Sequence, residues 1–386
     1  MGTSDAHSRD ARPRFDWVDW RLLSVALGST ALVAAALVVQ VSLGTYSMTL
    51  ERAWLAVLDA DVWYHPPTLA SFLLGEGLAR ALFGLPAGWE PDLATATTVV
   101  WNIRLPRVLV GIFVGCNLGL SGAIFQAVTR NDLASPHVLG VSSGAGFAVL
   151  LTLVLFPGFV GLLPLFAAVG GALAFLVVYV IAWDGGTSPV RLVLAGVVVW
   201  MICWSLQTAL FTLIDDVGTV RQAIAWTTGS LTGVGWEQAR TVLAWSALLV
   251  LPGAALAARE LDVLVLGEDT AASLGMNVEQ MRFAVSGLAI VAAGSAIAVA
   301  GVVAFAGLVV PHIVRTLVGP DHRRVLLGCV FVGPALLVTA DVGARLGMTL
   351  LMNSPGQLPV GIVTGLVGGP YFLWLMRRKT DMGAIA

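Results

Sequence analysis

Any chemistry in this chain must come from few ionisable side chains, because only 11% of its 386 residues are charged. The single lysine, Lys379, follows Arg378 rather than glycine, so a phosphate-binding loop of the Gly-Lys-Ser/Thr type is missing. No Ser–His pair with protease spacing and no metal-binding His–Glu helix is found, and His312 has no second ligand four residues away. We therefore predict no catalytic residue, no resident metal and no cofactor. ATP, if it is used, must be hydrolysed by a partner.

The most polar internal segment is Arg259–Arg282, which separates two long apolar runs. Glu268 and Asp269 stand where a short helix would begin, and their charge would complement the positive end of its dipole. Gly275 can end that helix in a left-handed conformation. The spacing predicts a short surface helix over Glu268–Leu274.

A second helix is predicted to follow this one directly. Asn277 is a good N-cap residue, and Gln280 occupies the capping-box position three residues later. Two helices joined by so short a turn form a rigid elbow, which we interpret as a docking handle for a partner. An ordinary polar loop between membrane spans is the alternative.

The elements that must position these residues are membrane helices. Hydrophobic residues make up 58% of the chain and the mean hydropathy is +0.88, whereas soluble proteins carry about 25% charged residues. A water-soluble globule is excluded, and the fold is predicted to be all-α and polytopic. Ten spans are predicted: Leu22–Leu43, Val108–Val128, Val138–Phe156, Leu162–Trp183, Arg191–Leu213, Glu237–Ala258, Phe283–Ala300, Val302–Leu317, Val325–Leu346 and Leu358–Met376.

Charge asymmetry predicts the orientation of the chain. Basic residues flank the first and last spans, and the positive-inside rule then places both termini in the cytoplasm. The predicted units are cytoplasmic tails over residues 1–21 and 377–386 and one transmembrane domain over residues 22–376. Within that domain, residues 44–100, whose only basic residues are Arg52 and Arg80, form an external connection, and residues 259–282 are cytoplasmic. An interfacial helix is expected over Leu69–Phe83.

Small residues repeat every four positions in the second span. Gly111, Gly115 and Gly119 would form a stripe on one helix face, which allows another helix to approach closely. We predict that these glycines serve helix packing.

Several motifs occur in order from about residue 99 to the C-terminus, and together they carry a resemblance. They are Arg104-Leu-Pro-Arg107, Asn131-Asp-Leu-Ala-Ser-Pro136, Leu139-Gly-Val-Ser-Ser-Gly-Ala145, Leu274-Gly275, Gly307-Leu-Val-Val-Pro-His312, Gly319-Pro-Asp-His-Arg323, Ala340-Asp341 with Arg345, and Leu358-Pro-Val-Gly361. The chain resembles the permease family of ABC importers for iron–siderophores, haem and cobalamin, of the FecCD type.

The resemblance implies a type II ABC importer permease fold with about ten helices. It also implies a dimer of permeases in the cell membrane, with two ATPase subunits beneath it and a substrate-binding protein above it. The residues that match the family's ATPase-coupling helix are Glu268, Asp269, Thr270, Ala271, Ala272, Ser273, Leu274 and Gly275. A homodimer is expected, and no nucleic acid partner.

Three arginines match positions that meet acidic residues of the binding protein in the cobalamin member of the family. They are Arg104, Arg107 and Arg345, and the predicted topology puts all three at the outer ends of spans. Guanidinium groups can hold carboxylates in bidentate pairs. The alternatives are contact with lipid headgroups, or an ion pair of Arg345 with Asp341 one helical turn away.

The chain departs from the family pattern at three places. Residues 44–100 are longer than the corresponding connection, and Gln357 stands where relatives often carry an acidic residue. Asp132 replaces a proline after the Asn of its motif, and a turn tolerates either residue. The first two departures bear on the outer mouth of the expected pathway.

The substrate implied by the resemblance is a bulky metal chelate, with cobalamin favoured over ferric siderophore or haem. A different class of protein, an ion-coupled secondary transporter, is the main alternative. Such transporters use carboxylates or broken helices in the middle of the membrane, and here Asp341 is the one candidate. An intramembrane enzyme is a further alternative, and the missing catalytic spacings argue against it.

Overall fold

Helices account for nearly all of the described chain. The computed structural model describes residues 19–42, 46, 48–352 and 357–383, and in this part the only extended pairing is one isolated bridge between Trp183 and Thr187. The helices are α1 Trp20–Ser42, α2 Leu50–Val57, α3 Ala60–Trp63, α4 Pro66–Leu74, α5 Glu76–Phe83, α6 Thr95–Val99, α7 Leu105–Thr129, α8 Val141–Leu155, α9 Leu163–Ala182, α10 Pro189–Phe211, α11 Val217–Thr228, α12 Trp236–Trp245, α13 Leu251–Val265, α14 Glu268–Ser273, α15 Val278–Ala300, α16 Ala306–Val318, α17 His322–Met352 and α18 Val360–Gly383.

Two pairs of these helices are continuous. π-helical turns at Val100–Arg104 and Ser246–Val250 join α6 to α7 and α12 to α13, which gives unbroken helices over Thr95–Thr129 and Trp236–Val265. Among the described residues, seven helices are long and apolar enough to cross a membrane, and three shorter apolar helices lie in α8, α16 and α18. The ten predicted spans are therefore confirmed as helices.

Helix α7 is the centre of the bundle, and its residues are buried almost from end to end. It packs against α15, α16 and α17. A Cβ placed at Gly115 would lie 2.3 Å from the carbonyl oxygen of Gly333 in α17, and one at Gly122 would lie 1.7 Å from that of Gly307 in α16. The backbones thus approach too closely at these points for any side chain to fit. Gly111 and Gly119 face Val338 and Val310 at 3.2 and 2.9 Å.

One predicted span begins late. The span expected over Val302–Leu317 becomes helical only at Ala306, because residues 301–305 are irregular, with positive φ values of +70° at Gly301 and +63° at Phe305. There the amide of Val302 donates to the carbonyl of Trp226 at 2.8 Å, which fixes α11 against the break.

The segment after α1, predicted to be external, folds into a small helical layer instead of a single interfacial helix. The helix expected over Leu69–Phe83 is divided into α4 and α5 at Gly75, whose φ of +95° is unsuited to a helix. An aromatic cluster anchors the layer to the bundle, with Trp101 stacked between Phe72 and Trp236 at ring centroid separations of 5.3 and 6.3 Å.

Candidate functional site

The elbow predicted between the apolar runs is present as α14 and the start of α15. Helix α14 covers Glu268–Ser273, and Gly275 ends it with a φ of +86°. The Met276 amide donates to the Ala271 carbonyl at 3.0 Å, which satisfies the helix end as in a Schellman motif. The Asn277 side chain accepts from the Gln280 amide at 3.1 Å, so the predicted N-cap is confirmed. Leu274 is 65% exposed on this surface.

A buried arginine, Arg282, fixes the orientation of the elbow. Its side chain is 1% exposed, and Nη2 donates to Oε1 of Glu268 in α14 at 2.7 Å. Nη1 contacts Oε2 of Glu279 at 3.4 Å and donates to Oγ1 of Thr187 at 2.9 Å. One guanidinium therefore joins α14, the first turn of α15 and the turn between α9 and α10.

The carboxylate of Glu279 completes this cluster. It accepts hydrogen bonds from the Tyr179 hydroxyl and from the Thr187 amide, the latter at 3.1 Å. Arg282 could not be recognised as a structural centre from the sequence. The only local signal is the Glu279–Arg282 spacing of three, typical of a helical ion pair, whereas the contacts with Thr187 and Glu268 are long-range.

A second buried ion pair, Arg107–Asp341, joins the first turn of α7 to the C-terminal half of α17. Arg107 donates to both carboxylate oxygens of Asp341, from Nε at 2.8 Å and from Nη2 at 2.7 Å. The Arg107 and Asp341 side chains are 5% and 1% exposed. The third nitrogen of Arg107, Nη1, donates to Oε1 of Gln357 at 2.6 Å. Gln357, where the family pattern has an acid, thus supplies a neutral acceptor beside an arginine that already has a carboxylate.

The polar network continues into α1. Gln40 donates from Nε2 to Asp341 at 2.7 Å and accepts from Nη2 of Arg345 at 3.2 Å. Arg104, which is 4% exposed, donates to the carbonyls of Val41 and Tyr46, the latter at 2.6 Å. The network therefore ties the three arginines to α1 and α17.

The binding-protein role of Arg104, Arg107 and Arg345 stays a prediction. In this conformation Arg104 and Arg107 are buried and make hydrogen bonds within the chain. Any contact with a partner's carboxylate would require these side chains to turn outward.

His137 and His312 lie in packed positions. The His137 ring lies 5.9 Å from the Trp200 ring, and burial lowers the pKa of His137. The His312 ring lies 6.4 Å from that of Tyr371. Within the described ranges, no three His, Cys, Asp or Glu residues are grouped so as to hold a metal ion.

Comparison with known proteins places this architecture in a family. The model of the FecCD transport family matches residues 32–378. The Fe(3+)-citrate import system permease protein of Bacillus subtilis is 39% identical over 74% of this chain and 83% of its own length. The hemin transport system permease protein of Yersinia pestis is 40% identical over 76% and 87%, and the cobalamin import system permease protein of Halobacterium salinarum is 35% identical over 93% and 97%.

A solved structure agrees with these matches. It is described as a metal-chelate type ABC transporter in an inward-facing conformation, and it superposes with a TM-score of 0.69 at 25% identity, covering 92% of this chain and 99% of its own. With ten apolar helices in its described part, α7 at their centre and a polar elbow between α13 and α15, the chain belongs to the FecCD transport family and is a permease of an ABC importer for metal chelates.

Proposed function

We propose that the chain works as a homodimer in the plasma or inner membrane, with both termini cytoplasmic, and that two ABC ATPase subunits drive it. A substrate-binding protein delivers the chelate at the side that carries residues 44–100. The chain itself hydrolyses no ATP, because its single lysine lies outside any phosphate-binding loop.

The observation that carries this proposal is the clamping of α14 by Arg282. Helix α14 is too short to be stable alone, so its position depends on contacts with its neighbours. The ion pair between Arg282 and Glu268 joins α14 to α15, and the hydrogen bond from Arg282 to Thr187 joins α15 to the α9–α10 turn. A push from an ATPase on α14 would thus be transmitted to three membrane helices as one rigid unit.

The residues from Glu268 to Gly275 form the proposed contact with the ATPase. Leu274 presents an apolar side chain, and Asp269 and Thr270 are exposed beside it. The proposed contact would bury this apolar side chain and leave its polar neighbours at the rim, as in other protein interfaces. At the other end, Arg104, Arg107 and Arg345 are proposed to meet the binding protein after the Asp341 network opens.

Cobalamin is the proposed substrate. The cobalamin permease of Halobacterium salinarum aligns over 93% of this chain, which includes most of the long connection after α1. Haem or a ferric chelate is the second candidate, because the haemin and Fe(3+)-citrate permeases have higher identity, 40% and 39%, over a shorter alignment.

The experiment that tests the coupling role is binding of the cognate ATPase to the purified protein in lipid. The variant carries Glu268→Lys and Leu274→Asp, and uptake of labelled cobalamin, haemin and ferric citrate is followed in parallel. We expect ATPase binding and uptake to fall together. The transported label identifies the substrate.

The matched control carries the same two changes, Glu51→Lys and Leu55→Asp, on the exposed surface of α2. This control should bind the ATPase as the wild type does. Normal ATPase binding and uptake by the α14 variant would show that the elbow is only a loop.

A further inference from the structure

An open groove lies between α7, α13 and α17, away from both polar clusters described above. Its volume is about 470 Å³, which is within the range of small-molecule sites. The lining residues are Leu120, Leu251, Ala254, Ala255, Ala258, Arg259, Arg323, Leu326, Leu327 and Val330. All are apolar except the two arginines.

The apolar wall owes its depth to small side chains. Ala254, Ala255 and Ala258 lie on one face of α13, opposite Leu326 and Val330 of α17. Because alanine leaves the space that a larger residue would fill, these positions leave a slot between the two helices. The floor is the fully buried Leu120 of α7. Such a slot accepts a flexible hydrocarbon chain.

Two unpaired arginines stand at the end of the groove nearer α14. Arg259 is in the last part of α13 and Arg323 is in the first turn of α17, and both are exposed. Neither has an ion pair or hydrogen bond to any residue that the structure describes. Asp262, three residues beyond Arg259, accepts from the amide and Nδ1 of His322 at 2.9 and 2.7 Å and is therefore already engaged.

We propose that this groove binds an anionic phospholipid, with the phosphate between Arg259 and Arg323 and one acyl chain along the alanine face of α13. Basic pockets between membrane helices bind anionic headgroups, and two guanidinium groups can share one phosphate through paired hydrogen bonds. A zwitterionic lipid would place its own ammonium group beside the two arginines. Repulsion between these positive charges disfavours the binding of such a lipid. The first eighteen residues of the chain carry Arg9, Arg12 and Arg14 and are disfavoured as an occupant for the same reason.

A lipid bound there would join α13 to α17. Helix α13 leads directly into α14, so the lipid would brace the helix that positions the elbow. This role is separate from the proposed contact of α14 with an ATPase.

The test is lipid binding to the full chain in detergent, measured by native mass spectrometry with dioleoyl phosphatidylglycerol and dioleoyl phosphatidylcholine as probes. We expect preferential retention of phosphatidylglycerol. Arg259→Gln and Arg323→Gln should each weaken it about fivefold, the effect of one basic residue near an anionic headgroup. Arg21→Gln, which removes an exposed arginine of α1 outside the groove, should leave binding unchanged.

A second pair of variants tests the acyl slot without changing any charge. Ala255→Trp fills the groove and should displace the lipid, whereas Leu256→Trp changes the neighbouring exposed residue and should not. Equal retention of the two lipids would overturn the proposal. So would unchanged binding in both arginine variants, or displacement of phosphatidylglycerol by inorganic phosphate alone, which would indicate an anion site that needs no acyl chain.

Discussion

At the scale of single residues, removing either partner of the Arg107–Asp341 ion pair is expected to lower the stability of the fold. Both side chains are buried, so the Asp341→Asn variant leaves a guanidinium without a carboxylate in a medium of low polarity. Removing one partner of a buried ion pair costs about 3–5 kcal/mol. We expect the thermal unfolding temperature in detergent to fall markedly in Asp341→Asn and in Arg107→Gln.

The double variant distinguishes a specific pair from two independent polar contacts. Arg107→Gln with Asp341→Asn removes both charges, so its loss of stability should be clearly smaller than the sum of the single losses. Additive losses would show that the carboxylate and the guanidinium stabilise the fold separately.

The burial of His137 should make the stability of the folded protein depend on pH. Burial against Trp200 lowers the pKa of His137 in the folded state below the value of about 6.5 in the unfolded chain. The unfolded state therefore binds the proton more readily, so stability is retained above pH 6.5 and is lost as the pH falls below it.

The measurement compares unfolding temperatures at pH 7.5 and 5.5. We expect His137→Phe, which keeps an aromatic ring beside Trp200, to reduce the difference between the two pH values. The control, His65→Gln, changes an exposed histidine and should retain the full difference. An unchanged difference in His137→Phe would assign the acid sensitivity to other groups.

At the scale of elements, replacing a glycine by alanine should have opposite effects on stability at a closely packed position in α7 and at an open position in α15. Gly115→Ala places a methyl group 2.3 Å from the Gly333 carbonyl, and overpacking of this kind costs about 1–3 kcal/mol. Gly287→Ala in α15 meets no atom within 4 Å and should stabilise the helix by up to about 1 kcal/mol. Thermal unfolding of the two variants checks the signs, and a stable Gly115→Ala variant would contradict close packing of α7 on α17.

The clamp on α14 predicts a loss of coupling without a loss of assembly. Arg282→Lys keeps the charge but cannot hold Glu268 and Thr187 with two separate nitrogens of a planar fork. We expect the ATPase subunits to bind normally while substrate uptake per ATP hydrolysed decreases. Arg130→Lys is the control, because among the described residues that side chain makes a single hydrogen bond, to the Leu264 carbonyl at 3.3 Å. Equal coupling in both variants would remove Arg282 from the mechanism.

The elements that the sequence could predict are those controlled by local physics. The apolar runs locate the spans to within a few residues, and the Asn277 cap and the Gly275 helix end follow from neighbouring residues. The partners of the buried arginines could not be predicted in this way, because Arg107 and Asp341 are 234 positions apart. The one amide side chain of the predicted first span, Gln40, is the sequence signal that α1 faces a polar network, and its partner is known only from the fold.

At the scale of the whole molecule, the proposed orientation places α14 in the cytoplasm and the α2–α5 layer outside. The three native cysteines, Cys116, Cys203 and Cys329, are buried, so an introduced thiol can be labelled against a low background. Tyr64 is 87% exposed after α3, and Leu274 is 65% exposed after α14. Each is a suitable site for a single cysteine.

We expect a membrane-impermeant maleimide to label Tyr64→Cys in intact spheroplasts and to label Leu274→Cys only after permeabilisation. The physical reason is the excess of basic residues next to the first and last spans. Such residues stay on the cytoplasmic side of the membrane, and α14 is proposed to lie on the same side. Labelling of wild-type protein in both conditions measures the native background. The reverse pattern would put α14 on the side without ATP, and no ATPase could then drive transport through the elbow.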